Sequence, residues 1–282
     1  MRPSHWVKNV FVLAPLVFAQ RLTDPESLTS AALAFACFCL ASSAVYCFND
    51  IRDHEEDGRH PVKCRRPIPS GAVSVALASL LTALLVGGSL GLALLIGLPF
   101  LQILAAYLLL NLLYTVRLKH VVILDVMSVS LGFVLRVIGG GLAIRVEVSA
   151  WLLLCTIFLA LFLAFSKRRH ELMLLDRHAS DQRPVLTSYS PAFLDQMINV
   201  VTASTVVAFA LYSISGETVD KFGTKALIYT TPFVLYGIFR YLYLVYQRPG
   251  ELNPTEDVVR DLPSIVNLVL WAVTVVLVIY WI

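Results

Sequence analysis

Charge is what this 282-residue chain has least of: only 15% of its residues are Asp, Glu, Lys or Arg, while 58% are hydrophobic. So small a polar fraction cannot cover a water-soluble globule. A mean hydropathy of +0.76 places the chain among integral membrane proteins. No polar stretch is long enough to fold as a separate soluble domain, so the reading is a single transmembrane domain over residues 1–282. Cysteine is also scarce. Cys37, Cys39, Cys47, Cys64 and Cys155 are odd in number and have neither a CxxC nor a zinc-like spacing, so no disulfide framework is implied. Five of the six histidines, His54, His60, His120, His170 and His178, are scattered among loops, which argues against a histidine metal site. The bases border apolar runs and no nucleic-acid module is present, so nucleic acid is excluded as a partner.

What is present is a series of apolar runs. A short segment from Val10 to Ala19 carries Pro15 in its middle, and Leu28 to Phe48 is long enough to cross a hydrocarbon core of about 30 Å. Ala72–Ile96, Pro99–Val116, Val121–Leu142, Trp151–Phe165, Pro191–Ile214, Ala226–Tyr246 and Ile265–Ile282 follow, predicting an all-α bundle of nine transmembrane helices. Gly87, Gly88 and Gly91 suggest a close helix approach in the third. Seventeen of the 22 Lys and Arg fall on one side if the spans alternate. By the positive-inside rule this puts the N-terminus and the polar loops, about 49–71 and 166–190, on the cytoplasmic side of the cell (inner) membrane.

The first of those loops is the least hydrocarbon-like part of the chain. It reads Asn49, Asp50, then Asp53 and Asp57, followed by Arg59, Lys63, Arg65 and Arg66. On a helix continued past Phe48, the acids at i, i+3 and i+7 share one face. Three carboxylates on one stripe repel one another, and a divalent cation relieves that repulsion. Hard oxygen ligands favour Mg²⁺, which completes its shell with water and substrate phosphates. The basic block that follows supplies charge for those phosphates. The competing reading is a solvated charge run at a helix end.

Asn49-Asp50-x-x-Asp53-x-x-x-Asp57 after the second helix resembles the NDxxDxxxD signature of the UbiA superfamily of intramembrane prenyltransferases. The resemblance implies nine helices around a cavity, with Asp50, Asp53 and Asp57 as catalytic metal ligands holding Mg²⁺ against a substrate diphosphate. Ordinary members carry a second motif, DxxxD, after helix six. Here that stretch reads Ser166-Lys167-Arg168-Arg169-His170-Glu171, which suits direct contact with phosphate oxygens better than a second metal.

Taken with Arg2-Pro3-x-x-Trp6-x-Lys8-Asn9, Tyr114-x-x-x-Leu118-Lys119-His120, Asp125 and Gly132-Phe133-x-x-Arg136, this departure resembles one branch of the superfamily. That branch, the decaprenyl-phosphate phosphoribosyltransferases, moves 5-phosphoribose from phosphoribosyl diphosphate (PRPP) to a polyprenyl phosphate on the way to the arabinose donor of an actinobacterial cell wall. The implied substrate contacts are Lys8, Asn9, Asn49, Arg59, Lys63, Arg65, Arg66, Tyr114, Lys119, Arg136, Lys167 and Arg168. Asp125 and Arg136 lie inside apolar runs, where a charge needs a partner. The rival readings are a conventional prenyltransferase, disfavoured by the missing second DxxxD, and a transporter. The latter is disfavoured because the acids gather at one membrane face and not at mid-depth.

Overall fold

The computed structural model describes residues 3–59, 63–175, 184–247, 258 and 260–281. Among them the structure is helical throughout. A 3₁₀ segment, Pro3–Leu13, leads into α1 (Ala14–Phe18). α2 is Pro25–Arg52, α3 is His54–Arg59, α4 is Val75–Ile96 and α5 is Leu98–Val116. α6 (Leu124–Ala143), α7 (Ala150–Leu175) and α8 (Pro191–Ile214) follow, then α9 (Gly216–Phe222), α10 (Thr231–Gln247) and α11 (Leu262–Trp281).

Seven of these, α2, α4, α5, α6, α7 up to Met173, α8 and α11, are long and apolar enough to cross a membrane. The protein is therefore an integral membrane protein. The first expected span is a shorter apolar helical stretch, Trp6–Phe18. The eighth divides into a 3₁₀ turn, Ala226–Thr230, and the 17-residue α10.

Helix starts follow local chemistry. The side chains of Asp24, Ser74, Ser190 and Ser215 accept hydrogen bonds from the first-turn amides of α2, α4, α8 and α9. Pro25 and Pro191 occupy first-turn positions, where their missing N–H costs nothing. Gly97, with φ of 141°, makes the sharp corner between α4 and α5.

The chain divides into two compact units. The first comprises Met1–Lys119 and Leu131–Val148. Its core joins Val12, Ala34, Phe38, Ala93, Phe100, Leu104, Tyr107 and Ala143. α4 packs along α2, and its buried residues are Ala78, Leu85, Ser89 and Ala93. The glycines expected to allow close approach do not: a Cβ built on Gly87, Gly88 or Gly91 meets nothing within 4 Å. The tight contact lies at Gly139-Gly140-Gly141 near the end of α6. A Cβ on Gly139 would sit 2.7 Å from the Phe38 ring, and one on Gly140 would sit 1.9 Å from the Val12 carbonyl oxygen. A ring can move, whereas the Val12 backbone is held. Gly140→Ala is therefore expected to destabilise the protein by about 3 kcal/mol or more, read as a fall in melting temperature in detergent. Gly87→Ala should leave that temperature unchanged.

The second unit comprises His120–Ser130 and Ser149–Ile282. Its core is formed by Val126, Phe162, Phe165, Val185, Tyr189, Leu194, Ile198, Ile238, Tyr241 and Val245. Ion pairs tie its helices. Arg169 on α7 donates to Asp195 on α8 at 2.5 Å while lying over the Tyr246 ring. Arg240 on α10 donates to both oxygens of Asp261, at 2.9 and 2.7 Å.

Candidate active site

In the first unit, the end of α2 carries the acidic motif. Asp53 is the C-cap, and its amide donates to the Asn49 carbonyl. α3 restarts at once and sets Asp57 one turn further on, its amide donating to the Asp53 carbonyl at 2.8 Å. The three carboxylates do not point at one place. Asp50 Oδ1 and Asp57 Oδ2 both approach Arg66, 3.3 and 2.5 Å from the same guanidinium nitrogen. Asp53 turns to Lys119, 3.3 Å away. Among the described residues no group of three or more His, Cys, Asp or Glu is arranged to hold a metal ion. The expectation of one shared acidic face is thus corrected. The helix caps at Asp53, and two bases from separate segments draw the acids apart. Two of them nevertheless converge on a single cationic nitrogen, and Asp57 is 3% exposed. Paired hard carboxylates about one cation position are the donor chemistry that Mg²⁺ takes, so these residues fit that ion.

Around the acids, Thr115 on α5 is buried and donates to Asn49 Oδ1 at 2.6 Å. With its oxygen occupied, Asn49 offers the NH₂ side of its amide. Tyr114 is half-buried beside Thr115, and Arg65 is exposed beside Arg66. The side chains of Arg59 and Lys63 lie outside the described part.

Asn9 and Arg136 meet in the same unit. Arg136, 6% exposed on α6, donates through Nε to Asn9 Oδ1 at 2.8 Å, through one terminal nitrogen to the Gly132 carbonyl, and through the other to the Tyr107 hydroxyl. Its guanidinium also lies 4.7 Å from the Tyr107 ring centre. Asn9 is fully buried and donates to Ser42 Oγ and Cys39 Sγ, while Trp6 donates to Ser43. These bonds pin the N-terminal segment, and with it the half-buried Lys8, onto α2 and α6.

In the second unit, Lys167 and Arg168 are not in a loop, because α7 continues through them to Leu175. Arg168 is 4% exposed. It donates through Nε to Asp125 at 2.7 Å and through a terminal nitrogen to Glu171. Glu171 also meets Lys167, 3.7 Å away and 35% exposed at its side chain. Asp125 has no exposed surface, and its other oxygen accepts from the Tyr189 hydroxyl at 2.6 Å. The Tyr189 oxygen in turn accepts from the amide of Ile123 at 2.7 Å. Ile123 stands at φ 69°, a backbone conformation strained for a β-branched residue. Burial, and then the bond to Asp125, push the Tyr189 hydroxyl well above the ordinary tyrosine pKa, so it stays a neutral donor. Sequence reasoning missed Tyr189, Thr115 and Glu171. A lone Tyr or Thr near a helix end carries no signal in one sequence, but Glu171, four residues after Lys167, was legible as an i,i+4 pair.

Comparison with known proteins gives these arrangements a family. The UbiA prenyltransferase family model matches residues 10–254. The chain is 35% identical to the decaprenyl-phosphate phosphoribosyltransferase of Corynebacterium glutamicum, over 99% of this chain and 85% of that protein. It is 37% identical to the protein of the same name from Mycolicibacterium smegmatis, over 77% and 70%. A UbiA homologue from Archaeoglobus fulgidus, solved bound to GPP and Mg²⁺, superposes with a TM-score of 0.75 over 99% of this chain and 97% of that one, at 20% identity. The family match over most of the chain, the full-length relative above 30% identity and the shared helical fold agree: this chain belongs to the UbiA prenyltransferase family.

Proposed function

We propose that this transferase moves 5-phosphoribose from PRPP to a polyprenyl phosphate, releasing diphosphate. The observation that carries the reading is that two carboxylates of the acidic motif, Asp50 and Asp57, converge on one cation position. In the second unit, the sequence at the end of α7 carries bases where a second acidic motif is absent. The names of the relatives in Corynebacterium and Mycolicibacterium support it. In a cell with an arabinose-containing wall, the product would feed the arabinose donor.

Asp50 and Asp57, joined by Asp53 once Lys119 releases it, would hold Mg²⁺, which when bound neutralises charge gathering on the diphosphate as it departs. Asn49, its amide turned by Thr115, offers donors to a phosphate oxygen. Lys119, in the turn after α5, reaches Asp53, and Tyr114, near the end of α5, would line the substrate cavity. Arg66, with Arg59, Lys63 and Arg65 near it in sequence, supplies charge for the donor's phosphates. Lys8, next to the Asn9 that Arg136 holds, would supply a further base for phosphate.

Lys167, more exposed than Arg168 on α7, would hold a phosphate directly. Arg168 acts through Glu171, which it shares with Lys167. Bond making is balanced without a general base: an anionic oxygen of the lipid phosphate attacks ribose C1, and the C1–O bond to diphosphate breaks with its electron pair. Attack opposite the leaving group inverts the anomeric centre.

Two further crossings, by Trp6–Phe18 and by Thr231–Gln247 with its preceding turn, would complete nine spans. The bias of Lys and Arg sets the N-terminus and both charged regions on the cytoplasmic face of the cell membrane. Purified protein given Mg²⁺ and a polyprenyl phosphate should incorporate label from ribose-labelled PRPP into lipid, and EDTA should abolish this. Incorporation from a labelled prenyl diphosphate into a small acceptor instead would replace this reading with conventional prenyl transfer.

A further inference from the structure

We propose that Arg66 is the resident counter-ion of the acidic motif and exchanges places with the divalent cation. It neutralises Asp50 and Asp57 when no metal is bound, and it passes to the diphosphate when one is. The proposal rests on the reading of Asp50 and Asp57 as metal ligands.

Three observations carry it. A single guanidinium nitrogen contacts both carboxylates, at 3.3 and 2.5 Å, so it stands where a bridging cation would lie and the two occupants exclude each other. Asp57 is almost fully buried, with 4% of its side chain exposed, and Asp50 keeps 18%, so both acids need a counter-charge. Arg66 itself is 31% exposed at the side chain, so water is at hand to receive the guanidinium when it swings away.

The turn that carries Arg66 is closed by its own backbone. Ser70 N donates to the Arg66 carbonyl at 2.9 Å, Val73 N donates to Pro67 at 2.9 Å, and Gly71 takes φ 77°. None of these bonds involves the guanidinium. The side chain can therefore leave the acids by rotating its own torsions while the turn stays folded. Because Asp50 and Asp57 cannot serve both cations at once, whatever the arginine pairing contributes is subtracted from metal affinity. The arrangement keeps the acids compensated in the empty enzyme and delivers a phosphate-binding guanidinium only with the metal.

The test uses full-length protein in detergent and Mn²⁺ alone, followed by electron paramagnetic resonance without any substrate. Arg66→Gln should bind Mn²⁺ about three- to fivefold more tightly than wild type, the size of a partly exposed ion pair. Arg65→Gln removes the same charge from the neighbouring exposed position and should change the affinity by less than that. With Mn²⁺ bound, inorganic pyrophosphate should then bind Arg66→Gln at least roughly tenfold more weakly than wild type. Equal gains in the two variants would reduce the effect to general charge and overturn the exchange, as would an unchanged or weaker Mn²⁺ affinity in Arg66→Gln. Unchanged pyrophosphate affinity would overturn its second half. If wild-type protein binds no Mn²⁺, the metal reading of the acids fails and takes this inference with it. Binding by wild type with no response in Arg66→Gln removes the inference alone.

Discussion

Asp57→Asn is expected to lower phosphoribosyl transfer by about a hundred- to a thousandfold, the range seen when charge stabilisation of a leaving group is withdrawn, while the melting temperature in detergent stays close to wild type. The two halves of that expectation have separate causes. Asn keeps the shape of Asp and can still accept a hydrogen bond from Arg66, so the packing around this buried side chain survives. Arg66 has 31% of its side chain in solvent and is not stranded when its partner loses a charge. What disappears is one of two carboxylates converging on a cation position, and with it much of the site's ability to hold a divalent ion. Transfer assays at graded Mg²⁺ check this. A variant rescued by high Mg²⁺ would locate the defect in metal affinity, and near-normal transfer at ordinary Mg²⁺ would remove Asp57 from the site.

Asp125→Ala should behave in the opposite way. Its partner Arg168 has 5% of its side chain exposed and Asp125 none, so removing the acid leaves a buried guanidinium without its Asp125 counter-charge. It also leaves the Tyr189 hydroxyl without its acceptor. Breaking a buried pair from one side costs about 3–5 kcal/mol, which for a chain of this size lowers the melting temperature by roughly 10 °C. Replacing both partners, Asp125→Leu with Arg168→Met, should recover most of that loss, because no charge is then stranded. Transfer should not recover with it, since Glu171, having lost Arg168, would hold Lys167 more strongly and draw that base away from phosphate. If the double variant regains activity together with stability, the pair is structural only. The contrast with Asp57 turns on burial of the basic partner, not on any difference in the type of ion pair.

Much of this was legible beforehand. The spacing of Asn49, Asp50, Asp53 and Asp57 marked the acidic motif, and the bases at Lys167 and Arg168 marked the departure from the family pattern. Asp125 and Arg136 were singled out because a charge in an apolar run requires a partner, and both have one. The glycine reading failed for an instructive reason. Gly87, Gly88 and Gly91 look like a packing stripe, but composition says only that a helix permits close approach, not that a neighbour makes it. The triple glycine at Gly139–Gly141 is where a neighbour does. The basic end of α7 was expected as a loop because its apolar run stops at Phe165. Helix geometry is indifferent to that change in polarity when the bases find acids at Asp125, Glu171 and Asp195.

By itself the sequence determined the membrane class, the helical fold, the family and the residue types gathered at the site, because hydropathy, charge and motif spacing are properties of the chain as written. Only the tertiary structure decided which base meets which acid. Arg66 bridges Asp50 and Asp57, Lys119 takes Asp53, and Asn9 rather than an acid receives Arg136. Those pairings join residues up to 127 positions apart, and no local pattern encodes such a distance. They follow from how the helices pack and from which charges that packing removes from water.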